Sequence, residues 1–190
     1  MKAILATTHD YLLGLNGGLP WGASSEFNEL SKMDMDYFRE ITKGTKVVMG
    51  YKTWLSLNER PLKGRREHYI ITSKRNLKHA DKRVKFMCLE DFLGRYVTDD
   101  VVCIGGASLY NELLNHCNEV YWNELTFKNN PFEKIDGDGV NPIYLTERNI
   151  NMLQNPSDFG FRPPAKVLIF DSNGNSIIFH RFIKNPILRV

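Results

Sequence analysis

Cysteine is scarce in this chain: Cys88, Cys103 and Cys117 are the only three among 190 residues. The count is odd, the spacings are long, and no histidine or second cysteine sits at ligand spacing around them. That pattern argues against a disulfide framework and against a zinc site, and no metal is expected. Cys103 lies inside an apolar run and is expected to be a buried thiol. A dominant charge is missing too. Lys and Arg number 25 against 22 Asp and Glu, a net charge of +3, with no basic tract to suggest a nucleic-acid partner. Residues 63–66 and the pair Lys74-Arg75 are small basic clusters that fit either solvated surface or anion binding. No apolar run approaches membrane-spanning length, so no membrane partner is expected. Met1-Lys2 opens onto only a short apolar stretch before Thr7 and His9, unlike a secretory leader. Repeats, low-complexity tracts and linkers are absent. A reducing cytoplasm fits these exclusions, the length fits one domain over residues 1–190, and a monomer is expected. Its apolar fraction of 42% is enough for a real core.

Apolar runs with strand character lie at residues 2–6, 46–49, 68–72, 84–87, 100–104, 119–127, 166–170 and 176–183. Helical patterns stand between the early ones. Asp34, Phe38 and Thr42 share one helical face, and further helices fit residues 53–57, 89–96 and 108–116. Strands alternating with helices predict an α/β fold: a mostly parallel eight-stranded sheet with helices on both faces. The last two runs flank Asp171-Ser172-Asn173-Gly174-Asn175, where Asn-Gly signals an antiparallel hairpin at the sheet's edge. Residues 22–33 and 128–164 read as a long loop and a long irregular segment.

Several short motifs carry chemistry. Gly14-Leu15-Asn16-Gly17-Gly18-Leu19-Pro20-Trp21 follows the first strand. Its glycines permit positive φ and close approach to a ligand, and Pro20 stiffens its exit. Ile104-Gly105-Gly106-Ala107-Ser108 follows a buried strand and opens a helix, a place where free backbone N–H groups suit a pyrophosphate. Met49-Gly50-Tyr51-Lys52-Thr53-Trp54 is a second junction of that kind. A tight turn with no ligand is the alternative at each site. Asp34 and Asp36, on different helical faces, are both candidates for a reactive carboxylate. Glu26 and Glu29 also stay open as candidates.

Taken in order with Arg60-Pro61-Leu62-Lys63-Gly64-Arg65 and with Leu109-Tyr110, this set resembles dihydrofolate reductase. The resemblance runs from the N-terminus to about Asn123 and returns in the C-terminal hairpin. It implies an NADPH-dependent oxidoreductase that reduces dihydrofolate to tetrahydrofolate in one-carbon metabolism. Asp34 then anchors the pterin, Leu19 and Trp21 shield the nicotinamide, and Asn123 stands where the family has a threonine bridging acid to pterin through water. A water admitted beside Leu19 supplies the proton. The substrate pocket is implied to comprise Ile4, Ala6 and Ile104 as floor, Met35, Phe38 and Tyr110 beside the ring, and Leu57 and Leu62 as walls. Arg65 clamps the α-carboxylate of the glutamate tail. The cofactor is implied to lie along Ala6, Leu13, Gly14, Leu19, Ile104, Gly105, Gly106, Ala107, Ser108 and Leu109, with a cis peptide between the two adjacent glycines. Its 2′-phosphate end falls to Gly50, Lys52, Thr53, Ser73 and Lys74. Tyr51 departs from the basic residue usual there, and residues 22–33 exceed their family counterpart in length. A pyrimidine reductase on the same fold, or a binding protein without turnover, are the other classes compatible with the residues.

Overall fold

A computed structural model of the chain describes residues 1–23, 27–129, 131–132, 135 and 139–186. Eight strands form one sheet in the order β5-β4-β3-β6-β1-β7-β10-β9. They are β1 (Lys2–Thr8), β3 (Lys46–Gly50), β4 (His68–Ile71), β5 (Val84–Met87), β6 (Val101–Cys103), β7 (Glu119–Thr126), β9 (Ala165–Phe170) and β10 (Ser176–Ile183). Every pairing is parallel except those of β10, which runs antiparallel to both β7 and β9. The Asn-Gly turn closes the β9–β10 hairpin as expected. Gly174 takes φ of 82° there, which a side chain rarely adopts. Asp171 Oδ1 accepts the N–H groups of Asn173 and Asn175 at 2.9 and 2.8 Å.

Helices cover both faces, and the strands show why. In β3, Val48 packs into one core with Leu5, Phe92, Leu109 and Leu113. Its neighbours Val47 and Met49 pack on the other face with Trp54. The helices are α1 (Asn28–Thr42) and α2 (Tyr51–Ser56) on the second face, and α3 (Leu89–Arg95), α4 (Ala107–Leu113) and α5 (Glu147–Gln154) on the first. Cys103 and Cys117 are free and buried, and burial pushes the Cys103 thiol up to about 12.

Two expectations need correction. Residues 22–33 are not all loop, because α1 begins at Asn28. Leu30 is fully buried four residues before Asp34, so the apolar stripe through Asp34, Phe38 and Thr42 extends one turn earlier. Phe27 is buried as well and packs edge-on against Phe127, with ring centroids 4.6 Å apart. Residues 128–164 likewise carry regular structure. They hold α5 and β8 (Pro142–Tyr144), and Leu145, Met152, Leu153 and Phe161 fill the core. β8 pairs antiparallel with β2 (Leu12–Leu15), a small second sheet. Asn16 N–H donates to the Asn141 carbonyl at 3.2 Å, and Asn16 Oδ1 accepts from Asn141 N–H at 2.9 Å. The segment therefore braces the start of the glycine-rich loop.

Candidate active site

The strands β3, β6 and β1 lie side by side, and the segments leaving their carboxyl ends converge, as ligand sites do in open α/β sheets. Gly50 ends β3 and caps α2. Gly106 follows β6 and caps α4. Neither helix has a side-chain cap, so the first N–H groups of both are without such a partner. Gly50 N–H donates to the Gly105 carbonyl at 2.7 Å, which ties the two junctions together. Gly105 and Gly106 are joined by a cis peptide. A Cβ on Gly105 would lie 3.0 Å from the Tyr110 hydroxyl, and one on Gly106 would lie 3.2 Å from Thr53 Oγ1. Only glycine lets this backbone sit so close to its neighbours. Thr53 is half-buried, Ser108 exposed, and Leu109 belongs to the core.

Asp34 projects from α1 and is 3% exposed. The other buried acids among the described residues are Glu119, paired with Lys2 and Arg181, and Asp171, bonded within its hairpin turn. Among the described residues no cation pairs with Asp34. Its Oδ1 accepts a 2.7 Å hydrogen bond from Asn123 Nδ2, on β7. Burial pushes its carboxyl up to about 6, opposed by Asn123 and by the nearby indole of Trp21. The Trp21 N–H helps the ionised form from outside good hydrogen-bond geometry, since its Nε1 has no partner. The rivals lie elsewhere. Asp36 is on the surface between Lys32 and Arg39. Glu29 accepts from Ser172 N–H and hydroxyl at 3.0 and 2.8 Å. Glu26 lies outside the described residues.

The other residues singled out from the sequence come from several elements. Phe38, one turn after Asp34, packs with Ile4 and Ile104. The Arg65 guanidinium lies 5.4 Å from the Phe38 ring centroid and donates to Thr42 Oγ1 and the Lys63 carbonyl. It has no carboxylate partner among the described residues, and partial burial lowers its pKa. Leu57 and Leu62 are half-buried nearby in sequence. Leu62 N–H donates to His68 Nε2 at 2.9 Å, which anchors that segment to β4. The Tyr110 hydroxyl is committed to the Ile4 carbonyl at 2.7 Å, so Tyr110 supports the floor. Ala6 and Met35 are half-buried. Leu13 in β2 packs against the large core, whereas Leu19 is 41% exposed at an open hollow with Gly18, Pro20 and Gly22. Trp21, in contrast, is fully buried with Leu12 and Leu30.

Farther along, Lys74 Nζ sits 4.4 Å from the Tyr51 ring centroid, a cation–π contact. Tyr51 thus holds a cation although it is not one. Sequence reasoning missed that pairing and the Thr42–Arg65 and His68–Leu62 contacts. Each joins residues from different elements or turns, with no local spacing to announce it.

A buried carboxylate, a guanidinium bonded to neutral oxygens and a glycine-lined seam between two strand-to-helix junctions are the chemical features of this α/β fold. Comparison with known proteins narrows this class. The sequence model described as dihydrofolate reductase matches residues 1–149. Dihydrofolate reductase type 3 of Salmonella typhimurium is 30% identical over 148 residues, covering 77% of this chain and 80% of that protein. The dihydrofolate reductase of Cryptococcus neoformans is 33% identical over 133 residues, covering 60% and 55%. In overall fold the chain is similar to Enterococcus faecalis dihydrofolate reductase, solved with NADP(H) and RAB-propyl, with a TM-score of 0.70, 22% identity and coverage of 97% and 96%. The chain belongs to the dihydrofolate reductase family.

Proposed function

We infer that the chain reduces 7,8-dihydrofolate to 5,6,7,8-tetrahydrofolate with NADPH as reductant. The observation that carries this reading is the buried Asp34 carboxylate, held by Asn123 and lacking a cation, in a member of this family. A carboxylate can accept two parallel hydrogen bonds, here from a pterin ring N–H and its 2-amino group. Phe38, Ile4 and Ile104 present an apolar surface to the ring, with Leu57 and Leu62 as walls. Arg65 offers a guanidinium fork that matches the tail carboxylate.

The residues present also fit the cofactor. Gly105 and Gly106 leave no side chain over the backbone of the seam, and two uncapped helix starts meet there. Gly14, Leu13, Ala6, Ala107 and Ser108 would line the rest of the cleft. Lys52, Thr53, Ser73 and Lys74 would take the 2′-phosphate, with Lys74 steadied on Tyr51. When bound, NADPH supplies the hydride that reduces the pterin at C6. Asp34 polarises the ring, and the N5 proton enters as water beside the exposed Leu19. The loop carrying Leu19, with Trp21 as its buried anchor, excludes bulk water during transfer.

One domain, a monomeric state, a cytoplasmic location and no nucleic-acid partner complete the proposal. The mixed charge supports the last of these, and among the described residues no helix is long and apolar enough to cross a membrane. Sedimentation tests the monomer directly, because Val167, Leu168 and Phe170 are exposed on the edge strand β9. The test of function is loss of NADPH absorbance on adding dihydrofolate. Turnover supports the reading. Turnover only with a pyrimidine intermediate, or cofactor and pterin binding without turnover, would replace it with one of the two other classes.

A further inference from the structure

Asn-Gly occurs at Asn16-Gly17, in the glycine-rich loop, and at Asn173-Gly174, in the β9–β10 hairpin. Both pairs are exposed, and both glycines take φ of 82°. They differ in what surrounds the glycine nitrogen. Gly174 N–H donates to the Asp171 carbonyl at 3.3 Å, and a Cβ on Gly174 would lie 3.4 Å from Lys128 Cδ. The Asp171 carboxylate sits in the same turn, accepting the N–H groups of Asn173 and Asn175. Among the described residues the Gly17 N–H has no hydrogen-bond partner, and a Cβ there would meet nothing within 4 Å. Asn16 itself takes φ of 50°, a left-handed conformation that costs a residue with a side chain. Its Oδ1 accepts the Asn141 N–H at 2.9 Å, which draws electron density away from Cγ.

We propose that Asn16 is a site of spontaneous modification, where the Gly17 nitrogen closes on the Asn16 side chain and converts it to aspartate and isoaspartate. The Gly17 nitrogen loses its proton to hydroxide and bonds to Asn16 Cγ. The Cγ–Nδ2 bond breaks, Nδ2 leaves as ammonia, and a cyclic imide remains. Water then opens either imide carbonyl. An amide and a water thus become a carboxylate and an ammonium ion, with no change of oxidation state. Gly17 puts no side chain in the way of the ring. The Asn141 N–H supports the charge that gathers on Oδ1 as the ring forms. At Asn173 the Asp171 carboxylate opposes an anionic nitrogen, and the Asp171 carbonyl already holds the Gly174 proton. The two products differ in consequence. Aspartate keeps an acceptor for the Asn141 N–H. Isoaspartate adds a methylene to the main chain inside a turn closed by Leu15 N–H to Gly18 O at 3.0 Å and Gly18 N–H to Leu15 O at 2.9 Å. Those bonds and the Asn16 N–H to Asn141 carbonyl bond then lose register, just before Leu19. The chemistry needs no ligand, so it stands apart from the dihydrofolate reading.

The test is to age the full chain in mildly acidic and mildly alkaline buffer and to map its peptides by chromatography and mass spectrometry, which separate the two acid products from the amide. Conversion at Asn16 should outpace that at Asn173 about fivefold, the scale of the hydrogen bond that Gly174 must first break. It should run faster in the alkaline buffer and release a matching amount of ammonia. Asn16→Gln would need a larger ring, so residue 16 should stay intact while Asn173 converts as before. If Asn16→Gln does not fold, Asn16→Asp supplies the same control, having no amide to lose. In the isoaspartate fraction the Leu15 and Gly18 amides should exchange with deuterium faster than in fresh protein. Equal or faster conversion at Asn173 would overturn the proposal, as would an Asn16 that stays intact in alkaline buffer. Unchanged exchange at Leu15 and Gly18 would overturn its consequence for the loop. Fresh protein that converts at Asn16 but never turns over dihydrofolate would remove the dihydrofolate reading and leave this site standing.

Discussion

At Asp34, burial pushes the carboxyl up to about 6 from an ordinary 3.8, so the folded chain keeps a proton there that the unfolded chain has already lost. Above pH 6 the fold carries an ionised group it would rather keep neutral. Asp34→Asn removes that cost and should stabilise the protein at pH 8 by about 2–3 kcal/mol. Thermal melts at that pH measure it, and a destabilised variant would mean that Asp34 contributes to structure more than its charge costs. Arg65 is the complementary case. Its guanidinium is half-buried and, among the described residues, bonded to neutral oxygens only. Arg65→Ala should raise the KM for dihydrofolate by about tenfold to a hundredfold, the range for a charge-assisted pair. A pterin lacking the glutamate tail should be little affected. Equal loss on both substrates would make Arg65 a brace for Thr42 rather than a clamp.

Between elements, α2 and the segment after β4 meet through Lys74 on the Tyr51 ring. Tyr51 cannot pair with a phosphate as a cation would, but it can fix where the Lys74 ammonium stands. Lys74→Ala should lower the ratio of NADPH to NADH affinity about tenfold, whereas Tyr51→Phe keeps the ring and should leave it nearly unchanged. Tyr51→Ala should cost about three- to fivefold, the scale of an exposed cation–π contact. Fluorescence titration with both cofactors checks this, and an unaltered ratio in Lys74→Ala would take the phosphate away from Lys74. The strands and their order of appearance were readable because a parallel sheet covered on both faces demands continuous apolar runs. Asp34 stood out from Asp36 through the family resemblance, and its burial follows from sharing a helical face with Phe38 and Thr42. The start of α1 was not readable, because Phe27 and Leu30 gain their meaning from packing against Leu125 and Phe127, distant in sequence. α5 was missed for a similar reason. Its buried residues Asn149, Met152 and Leu153 are few, and polar turn residues surround them. β8 is three residues long and fully exposed, so no periodicity marks it, and only its pairing with β2 defines it. The glycine seam showed as motif, but the tie between Gly50 and Gly105 needs the β3–β6 pairing.

Across the whole molecule, two buried groups pull stability in opposite directions over the same pH range. His68 is fully buried and accepts the Leu62 N–H, and desolvation with nearby Arg83 lowers its pKa to about 4. The unfolded chain takes up this proton first, so His68 costs stability as pH falls from about 6.5 toward 4. Asp34 does the reverse, losing stability as pH rises from 3.8 to about 6. The unmodified protein should therefore show a shallow profile between pH 4 and 6. Asp34→Asn should lose stability more steeply on acidification, and denaturant melts across that range check it. A parallel pair of curves would mean that the Asp34 carboxyl titrates as an ordinary exposed acid.

The central claim is that this buried carboxylate drives NADPH-dependent reduction of dihydrofolate, a reaction that consumes one proton. The most direct measurement is kcat/KM for dihydrofolate between pH 5 and 9, in the unmodified protein and in folded Asp34→Asn. The account predicts turnover that falls on acidification below about 6, where Asp34 takes up a proton and can no longer accept both hydrogen bonds. The variant should be slower by at least about tenfold, with that dependence flattened. An Asp34→Asn protein with the rate and pH profile of the unmodified chain would contradict it.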